Sequence, residues 1–314
     1  WNIDPNYSQH PLPPTQLTSI QWLDRGPIQW RIRVIRQLGR SQSTQDYILQ
    51  VDSPVLKIAT TVDWQESHVL VKAAFPLNLD GDCVTYEIPG GAIQRPTRPQ
   101  TEAEKAKWEV PALRWADLSD NEQQYGVSLL NDCKYGCDSQ PNRLRLTLLR
   151  SPKWPDPQAD RGSHQFTYAL YPHQGSWQSA KTVRRGYELN LPLIVLSWEA
   201  AGGEIPKSLS PVGKLLDLNA QNLILMALKP GEDGGWVLRC HECHGEAAEL
   251  SLEGDLGLAI ACPVDLLERP ARQSERSLNQ QPLRIAPWEI ASFKLRDLAS
   301  AARSPALYPS IPYP

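Results

Sequence analysis

The chain has 314 residues, with 32 Lys and Arg against 35 Asp and Glu, a net charge of −3 and an isoelectric point near 6.1. That balance argues against a nucleic-acid partner recruited by bulk charge, and no apolar run approaches the roughly 20 residues of a membrane-spanning helix. Glycine (19) and proline (28) are scattered rather than periodic, which predicts many short strands and turns and argues against collagen or disorder.

Trp (11) and Tyr (10) outnumber Phe (3), and such amphipathic rings suit either a sandwich core with polar tips or a surface that stacks on sugars. The first residue is Trp1 and no leader pattern follows, so the sequence reads as a piece cut from a longer protein. Its six cysteines do not resemble a secreted disulfide framework, which predicts a reducing, cytoplasmic setting.

Residues 1–16 carry Pro5, Pro11, Pro13 and Pro14 and read as a linker or lead-in. Alternating runs at 28–36, 45–51, 55–63, 68–75 and 83–88 recur about every ten residues, the spacing of an antiparallel sandwich. Residues 101–108 predict a short helix or a flexible loop. In the central stretch, residues 143–150 (RLRLTLLR) alternate basic and apolar side chains, as a strand with one buried face does. Residues 164–173 read as a second strand, and the two form a hairpin-like pair across 152–162, whose three prolines no helix can cross. Residues 186–190 and 193–197 close this half as further extended runs. The stretch 200–211 looks like a boundary, so the expected organisation is a large β-sandwich over 17–205, a smaller one over 206–298 and a loose tail over 299–314. In the second part, runs at 222–228, 235–239, 248–252, 256–261 and 288–295 predict strands. The fold class is all-β, and periodicity by itself supports no finer statement.

Several motifs together resemble a known family. Asp63-Trp-Gln-Glu-Ser-His68, Val71-Lys-Ala-Ala-Phe-Pro76, Tyr86-Glu-Ile-Pro89, Arg95-Pro-Thr97, Trp115-Ala-Asp-Leu-Ser119 and Leu130-Asn-Asp-Cys-Lys-Tyr-Gly136, through to Pro172-His173, look like the C-terminal β-region of family 38 glycoside hydrolases. The nearest branch is the cytosolic and vacuolar α-mannosidases. The resemblance runs nearly end to end, since Ala227-Leu-Lys229, Leu238-Arg239 and Pro287-Trp-Glu-Ile290 are similar to the family's last strands. It implies a galactose-mutarotase-like antiparallel sandwich followed by a smaller one. It also implies cleavage of terminal α-mannosides with retention, by two carboxyl groups and a metal, usually zinc. Nucleophile and metal ligands belong to an N-terminal α/β domain that this chain lacks, so no catalytic or metal residue is expected here and the chain alone is expected to be inactive.

The implied partners are that N-terminal catalytic domain and a mannose-containing oligosaccharide; nucleic acid and membrane are not expected, and a homo-oligomer stays open. Arg95, Asn131, Asp132, Lys134, Tyr135 and Asp138 are the candidates for a rim of the sugar site, because polar groups beside an aromatic suit hydroxyl recognition. The alternative is that Asn131, Asp132 and Asp138 close a turn on their own backbone. Gly90 or Gly91 and Cys137 stand where the family commonly carries aromatics, and His241 where it often has tyrosine. The rival function is a stand-alone carbohydrate-binding or scaffolding module.

Other signals compete. Cys240-His-Glu-Cys-His244 matches the c-type haem attachment spacing and holds zinc-ligand types, against a plain reading as exposed or half-buried thiols. Cys133 and Cys137 could pair but are expected reduced. His68, after Asp63 and Glu66, is expected in a strand as a partner of those carboxylates rather than a general base. His164 and His173 are expected to anchor loops, and Asp156 and Asp160 to shape turns rather than act as paired carboxylates.

Overall fold

The alternation at the start of the chain becomes an antiparallel meander: β1 (Gln16–Arg25), β2 (Gln29–Leu38), β3 (Ser41–Gln50) and β4 (Leu56–Trp64). The computed structural model describes residues 3–195, 212–232, 234–270 and 282–298. The chain divides into two units between Leu193 and Ile194. The boundary expected at 205/206 and the tail from 299 lie outside the described residues.

In the first unit the remaining strands are β5 (Val71–Pro76), β6 (Cys83–Ile88), β7 (Gly91–Pro96), β8 (Val110–Pro111), β9 (Trp115–Ser119), β10 (Tyr125–Asn131), β11 (Gly136–Gln140), β12 (Arg143–Leu149) and β13 (Gly162–Gln174). They form a nine-stranded sheet in the order β1-β2-β3-β4-β13-β10-β9-β6-β7 and a four-stranded sheet in the order β5-β12-β11-β8. Every pairing is antiparallel. The sheets close on one core, with Ile58, Trp64, Tyr86, Leu118 and Leu129 on the large sheet facing Leu144 and Leu146 on the small one. Period-2 alternation is what lets each strand give one face to that core.

The expected hairpin between 143–150 and 164–173 does not form. β12 pairs with β5 and β11, while β13 inserts between β4 and β10 in the other sheet. Both strands carry a correct inward face, but the proline-rich connection is long enough to carry the chain from one layer to the other, and alternation fixes a face without fixing a neighbour. Residues 186–190 are likewise not extended. They end helix α2 (Thr182–Asn190), which buries Thr182, Val183 and Gly186 against the outer face of the large sheet. A β-carbon at Gly186 would lie 3.2 Å from Trp115 Cδ1, so the missing side chain is what brings the helix close. The helix expected at 101–108 appears as one turn, α1 (Glu102–Lys105), capped by Thr101 and Glu104 in a reciprocal box.

The second unit pairs β14 (Leu223–Pro230), β15 (Trp236–Glu242), β19 (Ile290–Asp297) and β17 (Leu258–Val264) in one sheet, and β16 (Ala248–Leu250) with β18 (Leu283–Ile285) in another. Leu238, Leu250, Ile285 and Phe293 are among the side chains of its own core.

Candidate functional site

Of the six rim candidates, four share one turn. Asn131 ends β10 with its side chain buried: Nδ2 donates to Leu113 O at 2.7 Å and Oδ1 accepts from Lys134 N at 2.8 Å. Asp132 accepts from Thr167 N at 2.7 Å through Oδ2, tying the turn to β13. These two residues therefore hold the backbone, one of them by the turn-closing bond that polar residues in loops favour. Lys134 sends its ammonium 4.5 Å over the Phe166 ring, and the Tyr135 ring is 50% exposed. Burial pushes the neighbouring Cys133 thiol up to about 11, helped by its hydrogen bond to Asp132.

Arg95 and Asp138 are elsewhere. Arg95 lies on β7, at the edge of the large sheet, with a buried Nε that meets no hydrogen-bond partner among the described residues. Asp138 lies on β11 in the small sheet, where Oδ1 takes Arg145 Nε and Oδ2 takes Lys72 Nζ, both at 2.6 Å. Lys72 also bonds Glu109, which in turn accepts from Thr147. Tyr7, from the lead-in, lies within 5.6 Å of both cations, and burial, then the Asp138 charge, raises its phenol above the ordinary range. In this cluster Lys72 stands between two nearly buried carboxylates, Glu109 and Asp138.

A second polar centre was missed by sequence reasoning. Asp117, on the outer face of β9, accepts from Ser119 at 2.7 Å, from Ser128 at 2.6 Å and from His173 Nε2 at 2.7 Å. Ser128 also meets Thr182 of α2 at 2.7 Å. Asp117 borders a polar cavity of about 240 Å³ lined by Thr85, Gln94, Asn121 and Trp177 among others. The signal was present in Trp115-Ala-Asp-Leu-Ser119, where the carboxylate alternates with Ala116 and Leu118 and so faces away from the core. His173 thus anchors a neighbouring strand rather than a loop, whereas His164 does hold a loop, at Asp160 O, 2.6 Å. Asp160 accepts from Arg150 N and Ser151 N, which hold its carboxyl below the ordinary value although burial opposes this. His68 is not in a strand: it turns the chain before β5 with φ 54°, and Glu66 bonds Arg40 N and Ser41 Oγ.

In the second unit the Cys240 to His244 segment is organised by its carboxylate. Glu242 accepts from Asn222 Nδ2 and from the backbone N–H groups of His244, Gly245, Glu246 and Trp288 at 2.8–3.2 Å. Cys240 and Cys243 are both buried rather than exposed or half-buried. Among the described residues no group of three or more His, Cys, Asp or Glu side chains is placed to hold a metal ion. Cys137 is fully buried, and desolvation pushes its thiol up to about 12.

Residues 1–158 match the model of the glycosyl hydrolases family 38 C-terminal domain, and residues 222–293 match that of the family 38 C-terminal beta sandwich domain. Alpha-mannosidase 2C1 of Homo sapiens is 38% identical over 266 residues, covering 81% of this chain and 24% of that protein. An alpha-mannosidase of Saccharomyces cerevisiae is 34% identical over 289 residues, covering 84% and 25%. The crystal structure of an alpha-mannosidase from Enterococcus faecalis V583 superposes with a TM-score of 0.75 over 89% of this chain and 35% of that one, at 15% identity, which is a likeness of fold. The chain spans about a quarter of the length of the curated relatives it matches. With two family models matched in order along it, the chain belongs to glycosyl hydrolase family 38, whose C-terminal region it forms.

Proposed function

We propose that this chain is the non-catalytic C-terminal region of a retaining α-mannosidase that works in the cytoplasm. It supports a preceding metal-dependent catalytic domain and lends part of the rim of the sugar site. The observation that carries the reading is the paired family match, backed by relatives named as α-mannosidases at 34–38% identity. In the preceding domain zinc or another divalent ion would polarise the sugar. Six cysteines standing as thiols agree with a reducing compartment.

At the rim, Tyr135 and Lys134 are the groups with a face or nitrogen to offer a hydroxyl, while Asn131 and Asp132 position the turn, Asp138 is spent on Lys72 and Arg145, and Arg95 stands apart on β7. The full-length protein is expected to hydrolyse an aryl α-mannoside with retention, read by NMR of the first-formed anomer, and residues 1–314 alone are expected to give no turnover. Turnover by residues 1–314 alone would overturn the reading in favour of a self-sufficient enzyme. Tyr135→Ala in the full-length protein is expected to lower kcat/KM about tenfold with an unchanged melting midpoint. An unchanged kcat/KM would remove Tyr135 from the rim.

A further inference from the structure

The large sheet is wider than the layer that covers it. Its inner face runs on from Ile58 of β4 to Tyr47 of β3, Ile32 of β2 and Trp22 of β1 along one row of cross-strand partners. The next rows carry Trp30 with Leu49 and Val34 with Ile20. The four-stranded sheet packs on β4 and beyond, with Tyr47 of β3 still against that core and Val34 of β2 buried, so the face opens only toward β1 and the Trp30 end of the ribbon: Ile20 is 59% exposed, Trp22 49%, Trp30 43% and Leu49 40%. The opposite face of the same strands carries ion pairs: Arg33 bonds Asp46 at 2.7 Å and Arg31 Nε lies 3.0 Å from Asp24 Oδ2. The outer part of the ribbon thus leaves large apolar side chains unburied beside a charged opposite face, which a free-standing surface does not need. Where the ribbon joins the sandwich, a cavity of about 280 Å³ opens between Tyr47, Phe75, Phe166 and Tyr168.

We infer that this face is a docking surface for the part of the same polypeptide that precedes the chain in the full-length protein, with apolar side chains of that part laid on Trp22 and Trp30 and reaching into the cavity. The inference rests on the reading above. Its occupant is chosen because the curated relatives are about four times as long as the matched region and the family models name that region C-terminal, so most of the protein lies outside this structure and before it. A sugar would be the wrong occupant of the exposed part, since Ile20, Trp22, Trp30 and Leu49 offer apolar side chains rather than polar groups around one ring.

The test is oxidative footprinting of the full-length protein with hydroxyl radicals, read at Trp22 and Trp30 by mass spectrometry. Both are expected to label about tenfold more slowly than in the same protein denatured, at every protein concentration. Labelling at the denatured rate would overturn the proposal, and so would protection that disappears on dilution, which would assign the face to a second copy. In parallel, Ile20→Asp with Trp22→Asp is expected to lower the melting midpoint of the full-length protein, and Gln21→Asp, on the outer face, to leave it unchanged; equal midpoints for the two variants would overturn the proposal. Hydrolysis of an aryl α-mannoside by the unmodified full-length protein keeps the two readings apart. Activity with freely labelled tryptophans would sink the docking face alone, and protected tryptophans without activity would sink the α-mannosidase reading alone.

Discussion

Lys72 is 7% exposed and stands between Glu109 and Asp138, also nearly buried. Removing it strips Glu109 of its cation and leaves Asp138 with Arg145 alone, a far larger cost than losing a surface ion pair. Lys72→Met is expected to destabilise the protein by about 3 kcal/mol, measured by urea unfolding, and Lys72→Arg to recover part of that. Asp46 behaves differently because its effect depends on pH. The hydrogen bond from Arg33 lowers its carboxyl below the ordinary 3.8, so the native state binds its proton less readily than the unfolded chain. The stability this supplies is complete above the ordinary value and drains away as pH falls through the lowered native one. Thermal midpoints followed from neutral pH to below 3.8 should fall less steeply at the acid end for Asp46→Asn than for the unmodified protein.

At the scale of elements, the loop after β15 depends on Glu242, whose carboxylate gathers five N–H groups. Glu242→Ala is expected to cost about 2–3 kcal/mol, and hydrogen exchange should show the loss first at residues 244–246 and 288. Sequence reading weighed the neighbouring cysteines and histidines as haem or zinc ligands against plain thiols because residue type is visible in a sequence, whereas a carboxylate turned toward its own backbone is not. The same limit explains α2. A nine-residue helix with Thr182, Val183 and Gly186 buried carries too few apolar residues to announce its period, and its docking depends on Trp115 across the sheet. Gly186→Val is expected to cost about 2 kcal/mol by forcing the helix off that ring. The strands themselves were legible, because β2, β4, β12 and β19 repeat the period of the sheet residue by residue. Their partners were not, as the separation of β12 from β13 shows. Of the six rim candidates, those at 131–135 stand together because they are adjacent in the chain, while Arg95 and Asp138, grouped by chemistry, are separated by the fold.

For the molecule as a whole, two sandwiches with separate cores follow from two sets of alternating strands, and the all-β class was readable from that alone. The exposed apolar side chains toward β1 are a property no single strand announces, since Trp22 and Ile20 look like ordinary core residues until the opposing layer proves too narrow. Residues 1–314 studied alone are expected to self-associate as concentration rises, and Ile20→Ser with Trp22→Ser to suppress this in sedimentation velocity. The insertion of β13 has a consequence in time. On the ribosome, β1 to β4 emerge in order and can zip together at once, yet the free margin of β4 finds its neighbour only when residues 162–174 have been synthesised. Throughout that interval the nascent polypeptide carries an open, hydrogen-bond-hungry border, so slowed translation between residues 64 and 162 should raise its demand for chaperones more than slowed translation anywhere after residue 174.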